Sequence, residues 1–222
     1  MTLDELIEQF RVAADDRALP FLWDDPAVTF WFAEAEAEAA IRGRLLHESD
    51  NAAVCQIAVT AGTSTYPLHA SLYEIDHIGF KATGQTRRCD IRLTSREELD
   101  RICPDWRDRT DRMEYAIQAD TGIRLSCSPK QDGILYIEGY RLPLQPLTNG
   151  DDVPEINQAH HSKLVHWVLH KAFSVPDSET VDKDRAANAE RAFTQYFGIR
   201  PDSDLRRQTQ EDTPHHNQAF WM

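Results

Sequence analysis

Leu45-Leu46-His47-Glu48-Ser49-Asp50-Asn51-Ala52-Ala53-Val54-Cys55-Gln56-Ile57-Ala58-Val59 is the stretch in which the chain changes its period. Before it, apolar residues recur every three or four positions, as on one face of a helix. From Ala53 to about Leu147 they come instead in short β-branched and aromatic runs separated by turns. Past Asp151-Asp152 the helical spacing returns. A chain that reads helix, strand, helix in this order is α+β. Its simplest assembly is a discontinuous helical bundle made by both chain ends, with a small antiparallel β domain inserted and an extended C-terminal arm. The expected bounds are 1–50 and 150–200 for the two parts of the bundle, 51–149 for the β domain and 201–222 for the arm.

Working upstream, Asp24-Asp25-Pro26 supplies an acidic N-cap and an early proline, opening a helix that runs towards His47. Its apolar stripe is Val28, Trp31, Phe32, Ala35, Ala39 and Leu45 or Leu46. Glu34, Glu36 and Glu38 alternate with alanines and read as an acidic face. A first helix extends to about Ala14, because Thr2 and Glu5 have capping-box spacing ahead of Leu3, Leu6, Ile7 and Phe10.

Downstream, the expected strands are Val54–Val59, Leu72–Phe80, Cys89–Leu93, Tyr115–Gln118, Ile123–Cys127 and Ile134–Tyr140. A short helix opened by Ser95 and Glu98 ends before Pro104. In the last third, a helix begins near Pro154 with Ile156, Ala159, Leu164, Trp167, Val168 and Phe173 inward. Another runs from about Asp182 to Phe197, with Ala186, Ala189 or Ala192, Phe193 and Phe197 inward and Gly198 as terminator. From about Pro201 the chain is polar and aperiodic until Ala219-Phe220-Trp221, so these two aromatics read as the anchor of a docking arm.

Composition narrows the function. In 222 residues, 37 acids face 24 lysines and arginines, a net charge of −13. Residues 1–50 carry 12 of the acids and only 4 basic groups. Such an excess disfavours tight binding to phosphates. No apolar run is long enough to span a membrane, and Asp4 and Glu5 stand where a secretory signal would be basic, so the expectation is a protein made and kept inside a cell. Cys55, Cys89, Cys103 and Cys127 form no C-x-x-C pair and read as buried free thiols. Eight basic residues between Arg87 and Arg112 are interleaved with seven acids, the pattern of a solvated mixed-charge surface rather than a nucleic-acid patch.

Catalytic patterns are sparse. The nine glycines fall singly at turns, without a phosphate loop, dinucleotide fingerprint or nucleophile elbow. His166 and His170 share a helical face at metal-ligand spacing, yet Trp167 occupies the place where a metalloprotease needs its glutamate. His160, His161, His215 and His216 read as ordinary side chains. The expectation is no enzyme, no metal and no cofactor.

The order of several segments resembles the head-to-tail adaptor, or connector, proteins of tailed bacteriophages, in particular the tail-tube-like adaptors of short-tailed phages. The carrying segments are Thr2-Leu3-Asp4-Glu5-Leu6-Ile7, Phe21-Leu22-Trp23-Asp24-Asp25, Val54-Cys55-Gln56-Ile57 and Ala61-Gly62-Thr63-Ser64-Thr65-Tyr66-Pro67-Leu68. They continue with Arg96-Glu97-Glu98-Leu99-Asp100, Tyr140-Arg141-Leu142-Pro143-Leu144, Pro154-Glu155-Ile156, His160-His161 and Leu164-Val165-His166-Trp167. The resemblance implies a virion protein of the neck, made in the host cytoplasm. It implies a homo-oligomeric ring of twelve that joins the portal protein to a tail or nozzle protein. Double-stranded DNA would pass through without specific binding, and no membrane would be involved. It also implies a C-terminal arm reaching the portal, which here would include Leu205, Phe220 and Trp221. Within a ring of acidic copies, Glu34, Glu36 and Glu38 would line the channel. A tail or baseplate component acting as a binding module is the alternative.

Overall fold

A computed structural model describes residues 1–110, 113–176 and 181–201. Along the chain these form α1 (Leu3–Ala14), α2 (Asp25–Gly43), β1 (His47–Glu48), α3 (Ala52–Cys55), β2 (Gln56–Val59), β3 (Thr65–Pro67), β4 (Leu72–Ala82), β5 (Cys89–Leu93), α4 (Arg96–Ile102), β6 (Tyr115–Gln118), β7 (Gly122–Leu125), β8 (Gly133–Arg141), α5 (His161–Ser174) and α6 (Lys183–Phe197). The protein is mixed α+β. Two compact units divide it: one holds Met1–His47 with Tyr140–Pro201, the other Glu48–Gly139.

In the helical unit, each boundary follows from local chemistry. The Thr2 hydroxyl accepts from the Glu5 N–H while the Glu5 carboxylate accepts from the Thr2 N–H, so two orphan donors of α1 are satisfied reciprocally. The Asp24 carboxylate accepts from the Ala27 N–H and starts α2. This helix stops at Gly43 rather than His47. Arg44 turns left-handed (φ 49°), and the Leu45 N–H folds back onto the Ala40 carbonyl. The last helices differ in the same way. Asp182 caps α6 through the N–H groups of Asp184 and Arg185. By contrast, α5 begins only at His161. Residues after Pro154 are spent first, in a short 3₁₀ turn at Gln158–His160 capped by Asn157.

These helices share one core. Leu3, Leu6, Phe10 and Ala14 of α1 meet Val28, Phe32, Ala35 and Ala39 of α2, Leu164, Val168 and Phe173 of α5, and Phe193 and Phe197 of α6. Trp23, just before α2, stands edge-on to both Phe10 and Phe173, with ring centroids 5.7 and 5.4 Å away. At the far end of α1, Arg185 of α6 donates to the Ala13 carbonyl and covers the Phe173 ring at 3.9 Å.

In the second unit the strand order is β8-β4-β5-β6-β7-β3, with β2 also pairing β8. The pairs β2–β8, β4–β5, β6–β7 and β3–β7 are antiparallel. The expectation of a wholly antiparallel domain is corrected at one place. β5 and β6 run parallel, Arg92 opposite Tyr115 and Leu93 opposite Ala116. Parallel neighbours need a crossover, and α4 provides it. Ser95 accepts from the Glu98 N–H to start α4, and Leu99 packs with Trp106 and Ile117 beneath it. Two smaller corrections follow from caps and pairing. Asn51 caps Ala52–Cys55 as one helical turn before the strand begins, and Thr65–Pro67, outside the expected strands, pairs with β7. The four cysteines are thiols rather than disulfides, but only Cys55 and Cys127 are buried. Cys89 is exposed at the start of β5 and Cys103 is half-buried.

Candidate functional site

Glu36 is 1% exposed. Its carboxylate accepts hydrogen bonds from the backbone N–H groups of Glu155 (2.5 Å) and Ile156 (3.4 Å), holding the segment before α5 against α2. Burial pushes its pKa up to about 7 against the pull of these two bonds. Glu155 in turn receives Arg141 (2.5 Å) and the Leu144 N–H (3.0 Å), and the buried His161 ring meets the Ile156 carbonyl at 2.9 Å.

Glu38 also points inward. Arg42 donates to it from Nε at 2.7 Å, and Arg200 approaches its other oxygen at 3.3 Å. The Arg42 guanidinium also donates to Thr194 and lies 5.2 Å from the ring centroids of Trp167 and Phe193. Glu34, half-buried, receives Lys171 at 2.9 Å. The expected acidic face is therefore corrected. Glu36 and Glu38 are withdrawn from the surface and Glu34 is paired, because α2 is packed nearly all round. Its exposed large apolar residue is Phe30, 67% accessible.

The two histidines at metal-ligand spacing serve different partners. The His170 ring meets the Ala186 carbonyl at 3.1 Å and lies against Trp167. His166 lines the groove between α1 and α5, where burial and the Lys163 charge hold its pKa below the usual imidazole value. Among the described residues no group of three or more metal-ligating side chains assembles, and no helix is long and apolar enough to cross a membrane. Leu205, Phe220, Trp221, His215 and His216 lie outside the described residues.

One open concavity stands out in the helical unit, a groove of about 680 Å³ lined by Glu5, Glu8, Val12, Val165, His166 and Leu169 among others. Sequence reasoning passes over it, since Val12 lies off the α1 stripe and only the α1–α5 packing creates the groove. In the second unit, exposed ion pairs absorb much of the mixed charge: Arg101 with Glu98, Arg107 with Asp100 and Arg109 with Asp105. Arg107, seconded by the Trp106 indole N–H, holds Asp100 down at a pKa of about 2.

Buried polar groups of the helical unit thus hold helices and loops together, while its open features are an apolar groove and exposed apolar side chains; these belong to a protein that works through its surfaces. The chain belongs to the SU10 adaptor protein family, whose model matches residues 1–217. It is a phage structural adaptor, a virion component at the head-tail junction that meets other head and tail proteins. No curated protein matches it.

Proposed function

We propose that this chain is the adaptor of a short-tailed phage, and that twelve copies form a ring seated beneath the portal protein and above a tail or nozzle protein. DNA crosses the ring without specific contacts and the chain catalyses nothing. The helical segments 1–50 and 150–200 act as one bundle, and the inserted β region 51–149 presents a separate face. The arm 201–222 docks on the portal through Leu205, Phe220 and Trp221. The observation that carries this reading is the family match over residues 1–217, which takes in both units and most of the arm. Two units of different chemistry suit a protein that must hold unlike partners above and below.

Electron microscopy of the protein with its cognate portal tests the proposal, comparing the full chain with one truncated at Pro201. Twelve-fold rings only with the full chain support the complete reading. Rings with both chains remove the arm from docking, and failure of both to bind overturns the adaptor role in favour of another tail or baseplate component.

A further inference from the structure

Residues 142–160 form a strap that leads from the end of β8 to the start of α5, and the strap reaches two other helices on the way. The carbonyls of Asp152 and Gly150 accept from the first N–H groups of α1, those of Leu3 and Asp4, at 2.8 and 3.0 Å. Further on, the N–H groups of Glu155 and Ile156 both go to the Glu36 carboxyl in the middle of α2. Glu36 is therefore the side chain that fastens the strap to α2, and α1 begins on the same strap.

The fastening suits a neutral carboxyl. Both N–H groups bond to Oε1, which leaves Oε2 to carry a proton. Glu34 and Glu38 on the same helix have counter-charges, Lys171 and Arg42. Among the described residues no lysine or arginine pairs with Glu36. Arg141, at the end of β8, is spent on Glu155, whose negative charge faces Glu36. One peptide on, the Ile156 carbonyl meets His161 Nε2 at 2.9 Å, and the Met1 ammonium donates to Nδ1 of that ring at 3.2 Å. A buried carboxylate with no counter-ion and another carboxylate beside it is disfavoured against the same group in water, and burial raises the Glu36 pKa accordingly.

We propose that Glu36 is a proton-operated clasp: its neutral carboxyl keeps residues 153–157 docked on α2, and ionisation shifts them towards an open strap that loosens the start of α1 with it. The open strap exposes Glu36 to water, where it titrates as an ordinary glutamate. The docked state thus holds the proton more tightly, and losing the proton favours opening. The opening equilibrium rises with pH between about 4.5 and 7 and levels off above. The device lies within one chain and needs no ring.

Amide hydrogen exchange of the full-length chain tests it, read residue by residue from pH 5 to 8 with the intrinsic effect of hydroxide divided out. Protection at Glu155, Ile156, Leu3 and Asp4 should fall together by about fifty- to hundredfold over that range, one pKa unit being tenfold. Central amides of α6 should stay better protected at every pH, which marks the opening as local. In Glu36→Gln, which keeps the acceptor oxygen without the charge, protection at the four amides should no longer follow pH. A dependence that persists in Glu36→Gln belongs to His161 or the Met1 amine and overturns the clasp. So does exchange of the four amides only in step with α6, or protection that is flat in the unaltered chain. Infrared spectroscopy of the unaltered chain needs no variant: the band of an un-ionised, buried carboxyl should be present at pH 6 and gone by pH 8. Its absence at pH 6 also overturns the proposal.

Discussion

The Glu36 carboxylate accepts a 2.5 Å hydrogen bond from the backbone N–H of Glu155, 119 positions away, and does so from a site 1% exposed. The pH dependence follows from its raised pKa of about 7. Below pH ~4.5 the carboxyl is protonated in both folded and unfolded chains. Between there and pH ~7 the unfolded chain gives up its proton first, so the folded state holds more protons and stability falls as pH rises. Roughly 2–3 kcal/mol is lost across that window. Glu36→Gln keeps an acceptor for both N–H groups without the charge. Denaturant unfolding from pH 4.5 to 8 should show this slope removed and the variant more stable than the unaltered chain above pH 7. Glu36→Ala, which strands two backbone donors, should cost about 1–3 kcal/mol at every pH.

Gly139 on β8 is tightly constrained. A Cβ built there would strike the backbone carbonyl of Glu74 and crowd the Ile75 Cα on β4. Backbone cannot step aside as a flexible side chain can, so Gly139→Ala should destabilise by about 2–4 kcal/mol. Gly84 offers the control. Nothing lies within 4 Å of its added Cβ, and its φ of +83° is the reason alanine is unwelcome there. Gly84→Asn, a residue that tolerates the left-handed region, should cost under about 1 kcal/mol in the same thermal melts.

What the sequence makes legible is what is decided locally. The Thr2/Glu5 box, the Asp24 cap and the Asp182 cap each lie within three residues of the N–H groups they satisfy, so α1, α2 and α6 start where their patterns say. Directions and depths set by distant partners are not legible in this way. The Glu34–Glu38 alternation has the local look of a wet surface. Its burial is decided by Glu155 and Ile156 on one side and by Arg42, itself bound to Thr194, on the other. Likewise a strand's apolar pattern does not state whether its neighbour runs with it or against it, and only the helix begun at Ser95 hints at the crossover that makes β5 and β6 parallel. The groove is least legible of all, because Val12 on α1 and Val165 on α5 acquire a common meaning only when the helices pack.

His166 contributes a pH dependence of the opposite sign to Glu36. Its folded pKa is held below 6.5 by burial and by Lys163, so the unfolded chain binds the proton more readily. Its stability contribution is therefore complete above pH ~6.5 and is lost as pH falls through the folded value. His166→Gln should flatten that acid limb in the Glu36→Gln background, where the steeper slope no longer masks it. An unchanged acid limb in that double variant would show that His166 titrates alike in the folded and unfolded chain.

Arg42 is the group on which the buried charge of Glu38 chiefly depends. One side chain neutralises Glu38, donates to Thr194, lies 3.6 Å from Glu190 and covers Trp167 and Phe193. Removing it leaves Glu38, only 7% exposed at its side chain, with Arg200 alone at 3.3 Å. Arg42→Ala should therefore cost about 3–5 kcal/mol in chemical denaturation, because a buried carboxylate loses its principal counter-charge. Arg42→Lys keeps the charge but lacks the planar fork that reaches Glu38 and Thr194 together and lies over two rings, so it should recover less than half of the loss. Pairing Arg42→Ala with Glu38→Gln separates charge from packing. If the cost of Arg42→Ala comes mainly from stranding Glu38, the double variant should be more stable than Arg42→Ala by about 1–3 kcal/mol. Equal instability of the two would assign the cost to the lost stacking on Trp167 and Phe193 instead.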